Sequence, residues 1–142
     1  MNKDYLKNIY ALLEKMENTQ EEVIDRVSAE CARCIENGGL LYFFGTGHSH
    51  MICEEPFYRA GGLACVYPIL ETDLMLHEGA GKSSGYERLP GLGNLVVANT
   101  GLGEGDVLFI VSNSGRNCAP IDAALEAKKR GAITVAITSM EH

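Results

Sequence analysis

The stretch Leu40-Leu-Tyr-Phe-Phe44, followed at once by Gly45-Thr-Gly-His-Ser-His50, decides the fold. Five consecutive apolar side chains cannot alternate between core and solvent, so the run reads as a strand buried on both faces, the habit of parallel sheets. The glycines at 45 and 47 then let the backbone turn sharply into whatever follows. Val107-Leu-Phe-Ile-Val111 is the clearest strand of the chain, and residues 63–69 and 133–138 are two more. Helical patterns lie between them. One covers 49–60, interrupted by Pro56; the other covers 118–130, with Asn117 in the N-cap place, Pro120 in the first turn and Gly131 past the end. Strands alternating with helices imply right-handed βαβ units, and so an α/β domain of three layers, αβα, around a mostly parallel sheet.

Outward from this centre, residues 1–37 read as helix. Leu6, Ile9, Tyr10, Leu13 and Met16 recur every three or four residues, and Val23, Val27, Cys31, Cys34 and Ile35 continue the pattern. Thr19-Gln-Glu-Glu22 resembles a capping box, which predicts a break or kink near Asn18-Thr19. The chain thus divides into an N-terminal helical segment, 1–37, for packing and dimerisation, and an α/β domain, 38–142. Two amphipathic helices carry more apolar surface than one sheet face needs, which points to a homodimer or higher homo-oligomer. Residues 71–106 read as irregular and glycine-rich, with one helical piece at 92–99.

Composition excludes several classes. A chain of 142 residues with 46% hydrophobic and 22% charged residues is an ordinary globular domain. Nineteen acidic against twelve basic residues, a formal charge of −7, argue against a nucleic-acid surface. No window reaches the roughly eighteen apolar residues of a membrane helix, and the N-terminus lacks the apolar stretch of a signal peptide. Five scattered cysteines, an odd number, suit free thiols in a reducing compartment, so a cytoplasmic location is expected. Cys31-Ala-Arg-Cys34 matches C-x-x-C but sits inside an amphipathic helix, where two small packing residues are the expected reading.

Two loops carry the chemistry. In Gly45-Thr-Gly-His-Ser-His50 the glycines admit a close ligand, while Thr46 and Ser49 supply hydroxyls. A dinucleotide fingerprint requires a third glycine where His50 stands, so no nucleotide cofactor is expected. Ser112-Asn-Ser-Gly-Arg-Asn117 follows the third strand at the start of a well-capped helix. Its hydroxyls, its amides and the Arg116 fork can surround one anion, with Gly115 permitting the curl. Either loop alone is also satisfied by a tight strand-to-helix turn; the pair is the stronger signal.

Together, Gly45-Thr-Gly-His-Ser49 and Ser112-Asn-Ser-Gly-Arg-Asn117 on strands one and three resemble the sugar isomerase (SIS) domain family. Phe44 to His50, Phe57-Tyr-Arg-Ala-Gly-Gly62 and Leu76-His-Glu-Gly79 are similar to a bacterial subgroup of it, and the resemblance covers nearly the whole chain. It implies a flavodoxin-like parallel sheet that binds a phosphorylated sugar. The phosphate is then expected on Ser112, Asn113, Ser114, Gly115, Arg116 and Asn117, and Thr46, Gly47, His48 and Ser49 should line the sugar. Many SIS domains have Thr where Asn117 stands. The family fold has a fifth parallel strand and further helices, whereas this sequence stops at Glu141-His142 after the fourth strand. A truncated product, and an incomplete site, are therefore expected.

The resemblance also implies an aldose–ketose isomerase working through an enediol, which needs a positioned base and a means of protonating oxygen. Glu54 and Glu55 are the candidate bases, pointing about 100° apart on a helix. His77 and Glu78, in the irregular region, are the candidate assistants. His50 and Glu54 have the i, i+4 spacing of metal ligands on one helical face. Some SIS phosphoheptose isomerases hold a metal at that interval, further along the helix. The expected site nonetheless contains no metal and no cofactor. The rival reading is a non-catalytic, regulatory phosphosugar sensor. SIS domains in transcriptional regulators are preceded by a DNA-binding helical domain, for which residues 1–37 are too few and too acidic.

Overall fold

The structure, a computed structural model, describes residues 3–140; Glu141 and His142, where the sequence reading placed the truncated end, lie outside the described residues. Contacts divide the chain into two compact units, one through Arg33 and one from Cys34 onward. The first is helix α1, Lys3–Glu36, whose last residues enter the second unit. It runs unbroken past Asn18 and Thr19, contrary to the expected kink. The Thr19 hydroxyl donates to the Lys15 carbonyl at 2.7 Å, and the Asn18 amide donates to Glu14 at 2.8 Å. Both side chains bond one turn back instead of capping a new helix. Tyr10, Leu13, Met16, Val23 and Ile24 are exposed along it.

In the second unit β1 (Leu41–Gly45), β2 (Val66–Ile69), β3 (Val107–Val111) and β4 (Ile133–Ile137) form one parallel sheet in the order β2-β1-β3-β4. The expected strand at 63–69 is shortened to its last four residues. Pro68 is accommodated because β2 is an edge strand, where a missing N–H leaves no ladder partner unsatisfied. Tyr42 and Phe44 lie beside Leu108 and Ile110 in register, and this row makes the core with Ala119, Ala123 and Ala127. Phe43 and Phe109 occupy the other face and stack at 4.7 Å.

The helix expected over 49–60 is much shorter. A 3-10 turn, Gly47–His50, runs into α2, Met51–Glu54, and there it stops. Pro56 has no N–H to extend the ladder. Phe57 N bonds back to Glu54 instead, and Tyr58 turns left-handed at φ 53°. The segment 71–106 is more ordered than its composition predicts. It holds a 3-10 turn, Thr72–Leu74, helix α3, Ala80–Tyr86, and helix α4, Leu92–Ala98. Ala-Gly-Lys-Ser-Ser-Gly-Tyr is a poor helix former, so tertiary bonds hold it. The buried Ser83 hydroxyl donates to the Leu74 carbonyl at 2.9 Å, and Lys82 bridges Asp73 and Glu78 at 2.5 and 2.6 Å.

Helix α5, Cys118–Lys129, packs against α4 through its alanine face. The approach is close enough that a Cβ on Gly93 of α4 would overlap the Ala119 carbonyl and lie 2.9 Å from the Ala123 nitrogen. Among the described residues no helix is long and apolar enough to cross a membrane.

Candidate functional site

Gly45 pairs with Val111 at the carboxyl ends of β1 and β3. From β1 the chain continues to β2 on one side, and from β3 to β4 on the other. The loops after β1 and β3 therefore leave the same sheet end in opposite directions, and the crevice between them is the topological switch point where open α/β sheets take ligands.

In the first loop the Ser49 amide closes on the Thr46 carbonyl at 3.0 Å. That turn packs back onto the strand end so closely that a Cβ on Gly45 would lie 2.7 Å from the Ser49 carbonyl; Gly47 takes φ +55°. Thr46 is buried, its hydroxyl donating to Glu87 Oε2 at 2.8 Å, while His48 is exposed.

In the second loop the nearly buried Ser112 hydroxyl accepts from the Gly115 amide at 3.1 Å, and the Ser114 hydroxyl accepts from the Arg116 amide at 3.5 Å. Gly115 has φ +62°, the left-handed turn of a backbone nest. The Asn113 carbonyl accepts from the Ser139 amide at 3.1 Å, which anchors the loop to the exit of β4. Asn117 occupies the N-cap position of α5 with extended backbone, but its side chain makes no capping bond. Its amide and the Ser112, Ser114 and Arg116 groups thus surround the start of a twelve-residue helix, whose dipole favours an anion.

Glu87 joins the two loops, and sequence reasoning passed over it. Its carboxylate holds Thr46, and its carbonyl accepts from the Ala119 amide at 2.9 Å in the first turn of α5. A lone carboxylate at the end of a weak helix, 41 positions from Thr46, carries no local signal.

Beside the crevice stands a titratable group assembled from two segments. His50 is 3% exposed, and its Nδ1 contacts the Gly47 carbonyl. Its Nε2 lies 3.3 Å from Glu54 Oε1. His77, brought in by the turn after β2, meets the His50 ring edge-on at 5.1 Å between centroids. The structure therefore brings Glu54 and His77 together. Glu55 instead pairs with Arg59 at 2.5 Å, largely in solvent, and Glu78 pairs with Lys82. The thiol of Cys53, the residue before Glu54, is buried, which pushes its pKa up to about 12, with the Glu54 charge adding to the rise. It is a packing group, not a nucleophile.

Residues 4–139 match the family model described as the SIS domain. The chain belongs to the SIS-domain family. Among its relatives, a UPF0309 protein of Thermoanaerobacter pseudethanolicus is 49% identical over 98% of this SIS domain and 57% of its own length. A UPF0309 protein of Listeria innocua is 42% identical over 100% and 58%. The chain thus spans little more than half the length of the curated relatives it matches. In fold it is similar to the phosphoheptose isomerase of Neisseria gonorrhoeae, with a TM-score of 0.76 at 20% identity, covering 95% of this chain and 72% of that one. The phosphoheptose isomerase of Francisella tularensis gives 0.65 at 19%, covering 97% and 76%. At such identities the likeness is one of fold.

Proposed function

We propose that this SIS domain binds a phosphorylated sugar across the crevice between β1 and β3, and that the protein it belongs to interconverts an aldose and a ketose phosphate. The observation that carries the reading is the switch-point pairing of Gly45 with Val111, which sets two hydroxyl-bearing loops side by side with a His–Glu–His group next to them. The phosphate goes to Ser112, Ser114, Asn117 and the amides of Asn113, Gly115 and Arg116. Gly47, His48 and Ser49 face the sugar, while Thr46, expected among them from sequence, is buried and engaged by Glu87 and holds the loop in place.

Isomerisation moves the C2 proton to C1 through an enediol. Glu54 is the base in this reading, because Glu55 and Glu78 already have cationic partners at the surface. Glu54 takes the C2 proton as the carbonyl oxygen gains one; the carboxyl, free to trade its proton with water meanwhile, then delivers a proton to C1 as the C2 hydroxyl gives its own up. His77 stands beside Glu54 to serve the oxygen end. The reaction needs no organic cofactor. The exposed apolar side chains of α1 favour self-association as a dimer or higher homo-oligomer, and five free thiols favour the cytoplasm.

The test is exchange of the substrate C2 hydrogen with solvent deuterium, followed by NMR over hexose, heptose and amino-sugar phosphates. Glu54→Gln should slow exchange on the order of 100-fold or more while sugar-phosphate binding persists. Glu55→Gln should leave exchange within about threefold of the parent. Exchange that survives Glu54→Gln contradicts the assignment. Binding without exchange in the full-length protein would favour a regulatory phosphosugar-binding module instead.

A further inference from the structure

The contact between His50 and Glu54 poses a problem of hydrogen-bond accounting. Gly47 offers a carbonyl oxygen, an acceptor only, so the His50 nitrogen against it, Nδ1, must carry the hydrogen. That leaves Nε2, in the neutral ring, with a bare lone pair. Nε2 is buried and has no hydrogen-bond partner, yet it sits 3.3 Å from a carboxylate oxygen of Glu54. Two acceptors this close repel unless a positive charge lies between them. One nitrogen or oxygen from each of His50, Glu54 and His77 lies within 4.8 Å of the other two.

We infer that this group is a divalent transition-metal site, with His50 Nε2, a Glu54 oxygen and a His77 nitrogen as ligands. This deepens the reading under Proposed function and goes beyond the metal-free site expected from sequence. Two imidazoles and one carboxylate are a donor set suited to zinc and its neighbours in the first transition row, and too rich in nitrogen for magnesium or calcium. Three protein ligands leave at least one coordination position for a water or a sugar oxygen. The bond from His50 Nδ1 to the Gly47 carbonyl fixes the tautomer and aims the other nitrogen at the ion, as metal-ligating histidines commonly require. Glu54 is 46% exposed and His77 is exposed, so the site opens to solvent on the side an ion would enter. A carboxylate has two oxygens, and ligation through one leaves the other for the C2 proton.

The ion and the sugar phosphate are tested separately, so failure of one reading leaves the other legible. The chain, stripped with chelator and free of sugar, is titrated calorimetrically with Zn²⁺, and with Co²⁺ while visible absorption is followed. The site predicts one equivalent per chain and a Co²⁺ band of intensity typical of four or five ligands. His77→Ala and Glu54→Gln lie at the surface and should keep the parent's circular dichroism, yet weaken Zn²⁺ binding tenfold or more. Absence of saturable binding at one equivalent, or binding that both variants leave intact, would overturn the site. Sugar-phosphate binding by the stripped chain, by thermal shift, reports on the crevice alone.

Discussion

Adjacent carboxylates at 54 and 55 have different fates because one helical step separates their directions. Glu55 reaches one turn on to Arg59, while Glu54 turns back to His50. An exposed pair such as Glu55–Arg59 contributes well under about 1 kcal/mol, so its loss should hardly register in stability. A third carboxylate, Glu126, behaves differently. Arg130 donates to it at 2.8 Å and also reaches the carbonyls of Leu102 and Ala98, tying the end of α5 to the segment after α4. The Arg130 bond, with Lys129 adding its charge, holds the Glu126 carboxyl below the usual carboxylate range. A carboxyl lowered on folding stabilises above its unfolded pKa, near 4.3, and loses that contribution as pH falls through the lower folded value. Glu126→Gln should therefore be less stable than the parent at pH 7, with the gap in urea midpoint closing toward pH 3. A gap that stays constant across that range would contradict the assignment.

At the scale of elements, α4 and α5 approach over small residues: Gly93 on one side, Ala119, Ala123 and Ala127 on the other. Gly93→Ala forces the helices apart and should cost about 1–3 kcal/mol, read from chemical denaturation. An unchanged midpoint would mean that the interface yields. Strands and α5 were legible in the sequence because their signals are local: unbroken apolar runs, an N-cap, a proline in the first turn, a closing glycine. The elements that escaped are held from a distance. Helix α3 exists because Ser83 finds the Leu74 carbonyl and Lys82 finds Asp73, neither of which composition reveals. The kink expected at Thr19 failed for the converse reason, since a hydroxyl within a helix can bond backward as readily as it caps. The same division runs through the site. Both glycine-bearing loops could be read from sequence, and so could the His50–Glu54 interval. Placing His77 against His50, and Glu87 between Thr46 and Ala119, required the fold.

For the whole molecule, the order β2-β1-β3-β4 matters most, because it makes the gap between β1 and β3 the one place where neighbouring loops diverge. β4 lies at the other sheet edge, and four of its five residues are exposed, in a chain that spans 57% of the length of its Thermoanaerobacter relative. The loop after β3, proposed above to seat the phosphate, lies inside this span, anchored to β4 through Asn113, so that proposal predicts phosphate recognition by this chain itself. The most direct test is thermal unfolding with a panel of hexose, heptose and amino-sugar phosphates, each beside its unphosphorylated parent. A ligand at a hundredfold its dissociation constant adds about 2.7 kcal/mol, a clear rise in midpoint for a domain of this size. The account predicts a rise with at least one phosphate, none with its parent sugar, and loss of the rise in Ser114→Ala. A rise that the parent sugar matches, or that survives Ser114→Ala unchanged, would contradict a phosphate seat on the loop after β3.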